Sequence, residues 1–498
     1  MRKICGKKDW RKLGLWWFCF FFLWLAFSLA AAAYLDPDFG WHFRTGEWIW
    51  DHWAVPRKDL FSYTMPDYPW RDHSWLTELI IYKLYPSIGY SGMAFISGII
   101  GASTFILFVP KRLINFAFVP LILAGLASLV SMGVRPKMAS LFLAAVVFWI
   151  LRKSWQKPRW LLILPFLFLI WANLHGGFLI GLGVLFLSIL SDVYLIIKGK
   201  KNLTKHFRFA SFSLFLSAAA ILINPYGWRV YQETFLTIFS RELHSKIAEW
   251  LPYHALDLNM VFYTGTFLAL VYLFGYRLSL FERITSLWLF LAGFLSQRLL
   301  VYFFIFSLPL TTLLFRETYS LVFKRKRFKK LWRWRAWFLF AFLVFICLSL
   351  FCRLESLKRM SEESFYPLKA VAFLQKEGIA GNLFSGYNWG GYLIGKLPEK
   401  KVFADGRMAI WRKNGYSAFE EQEKIISGEM DFEPVFEKYA VSSVLLPVEK
   451  ESQKSLSVRL LAKFFGKKKT VPSLKERLLE SGWQVVYEDE TARIFKKT

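Results

Sequence analysis

The sequence predicts an α-helical membrane protein with many spans, followed by a small α/β domain. Of its 498 residues 55% are hydrophobic, and the mean hydropathy is +0.34. Repeated apolar runs approach the roughly 20 residues that an α-helix needs to cross a bilayer. After residue 352 the long apolar runs stop and charged residues become more frequent. We therefore predict a transmembrane domain over 1–352 and a soluble α/β domain over 353–498.

The apolar runs predict about eleven transmembrane helices. The first run, 13–33, follows the basic segment MRKICGKKDWRK. Its Ala-rich end is compatible with a signal-peptidase site, but its length favours an uncleaved anchor. The first outer loop is then 34–90. The other ten predicted spans are 91–110, 114–130, 139–151, 160–171, 178–197, 209–223, 260–275, 284–296, 299–315 and 336–352.

The basic residues between these spans predict the orientation of the chain. Clusters such as RKSWQKPR, KGKKNLTKHFR and KRKRFKKLWRWR fall on one side. Cytoplasmic loops carry such an excess, so the first outer loop lies outside, as does the C-terminal domain if the number of spans is odd. The net charge of +28 has no accompanying nucleic-acid-binding motif, and we predict no nucleic-acid partner. The basic loops instead predict contact with anionic membrane lipids.

The first outer loop carries the clearest candidate for chemistry. Asp36 and Asp38 flank Pro37 directly after the first apolar run. In an extended backbone the two carboxylates would share one face. Such a pair could hold a divalent cation, or one carboxylate could act as general base on a substrate hydroxyl. The structural alternative is that Asp38 only caps the helix that follows it.

Polar residues in the outer loops are candidates for substrate binding. One topology puts all of them on the outer face: His42, His73, Arg135, Asn173, His175, Glu249 and Arg298. A cluster of Arg and His residues there would suit a phosphate group. Each residue also has a structural interpretation: His73 could bond within its loop, and Arg298 could snorkel from the end of an apolar run.

The C-terminal residues alternate short helical and strand-like patterns. Helices are predicted in YPLKAVAFLQKEG and FEEQEKII, strands in NLFSG, KVFAD and AVSSVLLP, and a closing hairpin in WQVVYEDETARIF. Two glycine segments, Gly390-Gly391 and Asp405-Gly406-Arg407, could form an acceptor-binding edge. They could equally be turns that need glycine for backbone reasons.

These features together resemble the GT-C superfamily of membrane glycosyltransferases, whose members carry an acidic residue in the loop after the first transmembrane helix. Several segments more narrowly resemble a family of bacterial membrane proteins described as glycosyltransferase-like. The segments are DPDFGWHFRTGEWIW, VPRKDLFSYT, WRDHSWLTE, VRPK, WANLHGGFLIG, NPYGW, IAEW and YNWGGYLIGKLPEKKVFADGR.

The resemblance implies inverting transfer of a sugar from a polyisoprenyl-phosphate donor to a glycan, lipid or protein acceptor. It also implies an integral protein of the bacterial plasma membrane whose active site faces outside. Asp36 or Asp38 would be the base, and Arg135, His175 or Arg298 would stabilise the leaving phosphate. The sequence has no WWDYG-type motif, and SGYNWGG does not replace it, so oligosaccharide transfer to Asn is not expected. No cofactor is implied beyond a divalent cation at the acidic pair.

Two other classes of function remain open. An outer-face acyl or phosphoglycerol transferase would use His42, His73 or His175 as base and would tolerate Asp36→Asn. A non-enzymatic assembly or transport protein would tolerate Ala at both acidic positions. A transporter should also show related halves or carboxylates at mid-span, and neither is evident in the sequence.

Overall fold

The chain divides into two compact units, and each of them consists of two separate segments of the sequence. The computed structural model describes residues 10–109, 113–247, 249–251, 268, 276, 278–324, 335–378, 380–448 and 472–497. The first unit, which we call the membrane unit, comprises Met1–Tyr34 and His73–Lys358. The second, the C-terminal unit, comprises Leu35–Asp72 and Arg359–Thr498. Residues 35–72, the first part of the predicted outer loop, therefore pack with the C-terminal residues.

All the regular secondary structure in the described part of the membrane unit is helical. Its helices are α1 (Trp10–Ala33), α3 (Trp75–Phe108), α4 (Ile114–Ser128), α5 (Lys137–Ser154), α6 (Leu164–Leu174), α7 (Phe178–Ile197), α8 (Thr204–Ile221), α9 (Arg229–Phe239), α10 (Arg241–Lys246), α11 (Leu280–Leu295), α12 (Gln297–Phe306), α13 (Leu308–Lys324) and α14 (Arg335–Lys358). Helix α2 (Phe39–His52) belongs to the C-terminal unit. Helix α3 starts sixteen residues before the predicted span 91–110 and is broken at Gly89, whose φ is +64°.

Four helices of the described part are long and apolar enough to cross a membrane, which makes this an integral membrane protein. They are Lys12–Ala33, Trp75–Phe108, Ile114–Ser131 and Phe178–Ile197, and the bent pair Gln297–Phe306 and Leu308–Glu317 could form a fifth span. The expected count of about eleven is not confirmed. Predicted spans 160–171 and 284–296 fall on α6 and α11, which have only 11 and 16 residues. Predicted span 260–275 lies outside the described residues except for Leu268.

Aromatic side chains hold the core of the membrane unit together. The ring centroids of Phe108 and Phe148 are 4.7 Å apart, and Phe306 lies 4.6 Å from the first and 4.9 Å from the second. Their helices α3, α5 and α12 thereby meet in one buried cluster. Helix α3 also approaches α1 closely, since a Cβ at Gly98 would lie 2.1 Å from Oγ of Ser28.

The C-terminal unit is a small α/β fold around a four-stranded sheet. The strands are β1 (Asn382–Ser385), β2 (Val441–Pro447), β3 (Trp483–Glu488) and β4 (Ala492–Lys497), in the order β1-β2-β4-β3. β1 and β2 are parallel, and the other two pairs are antiparallel. The helices are α2, α15 (Glu362–Phe365), α16 (Leu368–Glu377), α17 (Gly390–Lys396), α18 (Ala418–Ser427), α19 (Glu433–Lys438) and α20 (Leu474–Glu480).

Residues 35–72 are built into this unit by backbone hydrogen bonds. The predicted strand KVFAD forms only a single parallel bridge, which joins Val402 to Ser62. Val402 N–H donates to the carbonyl of Phe61 at 2.9 Å, and Tyr63 N–H donates to the carbonyl of Val402 at 3.1 Å. Trp41, Met65 and Trp70 join the same buried core as the C-terminal residues. The segment predicted as the strand KVFAD thus makes a single bridge to the loop that follows α1.

Candidate functional site

The predicted site residues fall into two groups, one in each unit. Asp36, Asp38 and His42 belong to the C-terminal unit. The membrane unit holds His73, Arg135, Asn173, His175, Glu249 and Arg298. Within the described residues, no group of three or more His, Cys, Asp and Glu side chains has the arrangement of a metal site.

The acidic pair forms a turn, which differs from the extended segment expected from its spacing. Asp38 N–H donates to Oδ1 of Asp36 at 2.9 Å, and Phe39 N–H donates to the carbonyl of Asp36 at 3.1 Å. Asp38 has φ −92° and ψ −7° and occupies the N-cap position of α2. Its side chain makes no capping bond. Oδ1 of Asp38 instead accepts from Nε1 of Trp41 at 2.9 Å.

Asp38 lies directly against the glycine segment Asp405-Gly406-Arg407 of the C-terminal unit. A Cβ at Gly406 would lie 2.1 Å from Oδ1 of Asp38. The hydroxyl of Tyr387 donates to the carbonyl of Gly406 at 3.0 Å. Burial raises the pKa of Tyr387 well above its ordinary value, and the charge of Asp38 raises it further. His42, also buried, packs its ring 3.7 Å from that of Trp41.

Arg407 is the electrostatic centre of the C-terminal unit. Its Nη2 lies 2.8 Å from Oδ1 of Asp59 and 2.6 Å from Oδ2 of Asp405. Its guanidinium lies over four aromatic rings: Trp70 at 4.5 Å, Phe61 at 4.9 Å, Trp411 at 5.1 Å and Trp41 at 5.8 Å. Burial alone would lower the pKa of Arg407, but the two carboxylates raise it above its ordinary value. Apart from the DGR segment itself, nothing in the sequence indicated this cluster.

The membrane unit gathers three of the predicted residues into one charged cluster at the start of α5. Arg135 donates from Nη1 to Oε1 of Glu249, and its Nη2 donates to the hydroxyl of Tyr34 at 2.8 Å. Nη1 of Arg298 lies 4.0 Å from Oε2 of Glu249. The Arg298 guanidinium also lies 5.0 Å from the ring centre of Trp250. These contacts join the segments VRPK, IAEW and QR, which are far apart in the sequence.

Three cations act on the carboxylate of Glu249. Burial would raise the pKa of Glu249, but the surrounding cations Arg135, Lys137 and Arg298 lower it far below its ordinary value. Glu249 is therefore ionised at neutral pH. Three cationic side chains gathered in one place favour the approach of an anion.

The hydrogen bonds around His175 fix its tautomer. Gly177 N–H donates to Nδ1 of His175 at 3.1 Å, so Nδ1 carries a lone pair and the ring proton of the neutral form is on Nε2. Nε1 of Trp171 donates to the hydroxyl of Ser140, which donates in turn to Nδ1, both at 2.7 Å. His73 lies beside this ring, with the centroids 5.6 Å apart. His175 is thus arranged to donate from Nε2.

The side-chain amide of Asn173 is engaged in hydrogen bonds within the membrane unit. Its Oδ1 accepts from Nε1 of Trp75 at 2.9 Å and from Nδ2 of Asn224 at 3.2 Å, and its Nδ2 donates to the carbonyl of Leu169 at 2.8 Å. The same residues border an open groove of about 460 Å³. Its lining is mainly apolar: Trp75, Leu76, Leu169, Ile170, Asn173, Ile223, Asn224 and Pro225.

A buried polar network that sequence reasoning missed lies at the other end of α5. Oγ of Ser154 is 2.7 Å from Nε2 of His206, and Nδ1 of His206 is 2.5 Å from Oδ2 of Asp192. The ring of Trp155 stacks on His206 at 5.0 Å. All three hydrogen-bonded side chains are at most 2% exposed, so the network is sealed from solvent. The sequence analysis did not single out Asp192, although this acidic residue lies within the predicted span 178–197 and was the signal that could have indicated the network.

Comparisons with known proteins place the fold. No protein-family model matches the sequence, and no curated protein matches it. One similar solved structure is the archaeal oligosaccharyltransferase AglB from Archaeoglobus fulgidus, in complex with an inhibitory peptide and a dolichol-phosphate. The TM-score is 0.54 at 15% sequence identity, over 92% of this chain and 71% of that chain.

The chain therefore has a fold similar to that of this oligosaccharyltransferase. An identity of 15% carries no family assignment.

Proposed function

We propose that this chain is a membrane glycosyltransferase that moves a sugar from a polyisoprenyl-phosphate donor to an extracytoplasmic acceptor, with inversion at the anomeric carbon. The observation that carries this proposal is the cluster of Arg135, Lys137 and Arg298 around the carboxylate of Glu249. Its cationic side chains are of the kind that binds a phosphate group. We assign this end of the membrane unit to the outside, in agreement with the distribution of Lys and Arg in the sequence.

The leaving group would be stabilised by donors already in place. As the bond between the anomeric carbon and the phosphate oxygen breaks, its electron pair passes to the lipid phosphate. Arg135 and Arg298 would stabilise that charge, and Nε2–H of His175 would donate one further hydrogen bond. Such donors act before and during the reaction without reorganisation, which is what makes them effective in the transition state.

The groove beside Asn173 suits the hydrocarbon part of the donor. Its volume of about 460 Å³ and its mainly apolar lining fit a section of an isoprenoid chain better than a sugar. The AglB structure contains a dolichol-phosphate, which is a polyisoprenyl phosphate. A similar carrier lipid would give this groove a function here.

The general base would be Asp36 or Asp38. It would remove the proton of the acceptor hydroxyl, whose oxygen attacks the anomeric carbon from the face opposite the phosphate. Such a base works best close to the operating pH and within hydrogen-bond reach of the acceptor. A divalent cation held by the same carboxylates is the alternative use of the pair.

A transferase with a histidine base is less well supported. A base needs a lone pair that can reach the substrate, but Nδ1 of His175 already accepts from Gly177 N–H. The opposite nitrogen carries the proton and is suited to donate. His42 and His73 keep this alternative open, and it predicts activity that survives Asp36→Asn.

The test is the transfer of radiolabelled sugar from the polyprenyl-phosphate sugars of native membranes to endogenous acceptors. Wild type is compared with Asp36→Asn and Asp38→Asn at matched amounts of folded protein, with and without EDTA. The exposed carboxylates Asp51 and Asp67 of the same loop provide controls as Asp51→Asn and Asp67→Asn. We expect loss of transfer in at least one of the first two variants and retention in both controls. Unchanged transfer in all four variants would overturn the assignment of the base.

A further inference from the structure

The acidic turn and the glycine segments of the tail fit each other with unusually close contacts. A Cβ at Gly391 would lie 2.2 Å from the carbonyl oxygen of Pro37. A Cβ at Gly40 would lie 2.1 Å from the carbonyl oxygen of Gly391 and 2.9 Å from the amide nitrogen of Gly395. Any side chain at these positions would push the backbones of α2 and α17 apart. Glycine is therefore needed here for close approach of two backbones.

At Gly406 the close contact is with the side chain of Asp38, the candidate base, and not with the backbone of Asp38. A Cβ at Gly406 would be 2.1 Å from Oδ1 and 3.1 Å from Cγ of Asp38. Oδ1 is also the atom that accepts from Nε1 of Trp41. An added methyl group would thus displace the carboxylate and strain that hydrogen bond, while the backbone could stay in place.

The glycine at 406 is itself held from two sides. Its carbonyl accepts from the hydroxyl of Tyr387 at 3.0 Å. Its neighbours Asp405 and Arg407 form a buried ion pair, in which Asp405 also accepts from Arg407 N–H at 3.0 Å. Asp59, which lies in the first outer loop, pairs with the same guanidinium. The position of Gly406 is therefore fixed by side chains from both the tail and the loop.

We propose that the C-terminal unit positions the candidate base: Gly391 seats the Pro37–Asp38 turn, and Gly406 sets the orientation of the Asp38 carboxylate. Gly406 is a positioning residue, which acts through Asp38 and touches no substrate. This inference rests on the proposed function for its catalytic consequence, but the seating itself is a structural claim. It gives the two glycine segments a role that does not require them to contact the acceptor.

The catalytic part is tested by Gly406→Ala. Small displacements of reacting groups can cost up to about a hundredfold in rate, and we expect kcat to fall roughly ten- to a hundredfold. The KM for the donor should stay within about twofold, because the phosphate cluster is untouched. Gly386→Ala is the matched control: Gly386 has φ −63°, and a Cβ there would meet nothing within 4 Å. Equal kcat in Gly406→Ala and wild type would overturn the positioning role.

The structural part is tested by a double-mutant cycle that does not need activity. Gly406→Ala should destabilise the full-length protein in wild type and have a smaller effect in the Asp38→Ala background, where the clashing carboxylate is gone. Coupling of about 0.5 kcal/mol or more is typical of residues in contact. Gly386→Ala should show no coupling to Asp38→Ala. Absence of coupling for Gly406 would overturn the seating, whereas coupling together with an active Asp38→Ala variant would refute only the assignment of the base.

Discussion

Replacing Arg407 by Gln should destabilise the C-terminal unit strongly. Both Asp59 and Asp405 have fully buried side chains, and the side chain of Arg407 is 3% exposed. Gln at this position leaves two carboxylates in a site without a compensating charge. Breaking a buried ion pair in this way costs about 3–5 kcal/mol. The loss of the contacts with four aromatic rings acts in the same direction.

The matched control is Arg412→Gln, five residues further along the same segment. Arg412 pairs with Glu420 at 2.6 Å, but the two side chains are 30% and 36% exposed. Exposed pairs of this kind contribute about 0–1 kcal/mol. The two variants remove the same side chain and differ mainly in burial.

Hydrogen exchange of the full-length protein in detergent measures the difference. At about 1.4 kcal/mol per tenfold, the amides of β2 should exchange roughly a hundredfold to several thousandfold faster in Arg407→Gln. A triple variant with Asp59→Asn, Asp405→Asn and Arg407→Met should recover most of the protection, since no uncompensated charge remains. Exchange in Arg407→Gln no faster than in Arg412→Gln would refute the reasoning.

Three further predictions concern the membrane unit. Asp192→Asn replaces the carboxyl partner of His206 with an amide and should lower the free energy of unfolding by about 0.5–1.5 kcal/mol, measured by thermal unfolding in detergent. The pKa of Glu249 in the folded protein lies below its ordinary value of about 4.3. Ionised Glu249 therefore stabilises the protein above pH 4.3, and this contribution is lost as the pH falls towards the pKa of the folded state. The difference in Tm between wild type and Glu249→Gln should therefore be constant from pH 7 to about 5 and shrink in more acidic solution. Arg298→Gln should raise the donor KM about tenfold, and the exposed Arg229 should tolerate the same change.

Each of these predictions has a result that contradicts it. An Asp192→Asn variant that unfolds at the wild-type temperature would mean that the network with His206 contributes nothing to stability. A Tm difference for Glu249→Gln that is independent of pH down to 3 would exclude the ion cluster as its source. Equal donor KM values for Arg298→Gln and Arg229→Gln would remove Arg298 from the phosphate site.

Single helices and strands could be predicted well where the pattern of their own residues determines them. The span predicted at 178–197 coincides with α7. Its limits could be recognised because HGG precedes the apolar run and KGKK follows it. The predicted strand NLFSG and the closing hairpin correspond to β1 and to the β3–β4 pair. Alternation of apolar residues and flanking turn residues are sufficient for such assignments.

Contacts between distant segments could not be predicted, because periodicity carries no information on tertiary partners. Ser62 and Val402 are 340 positions apart, and nothing in either segment indicates that they pair. The expectation of extended geometry at Asp36 and Asp38 did not hold for a local reason, since the carboxylate of Asp36 accepts from the backbone of Asp38 and closes a turn. Of the candidate residues, Arg135, Glu249 and Arg298 share one cluster, but only their common topological side was predictable.

The most direct measurement of the central claim is the release of polyisoprenyl phosphate by the purified full-length protein in lipid nanodiscs. The substrate is a polyisoprenyl-phosphate sugar fraction from native membranes, supplied together with the extracted acceptor fraction, and the product is quantified by mass spectrometry. We expect release by wild type and by Asp67→Asn, and a loss of about a hundredfold or more when the catalytic carboxylate, Asp36 or Asp38, is changed to Asn. No release by wild type, or equal release by wild type, Asp36→Asn and Asp38→Asn, would contradict a glycosyltransferase that uses this acidic turn.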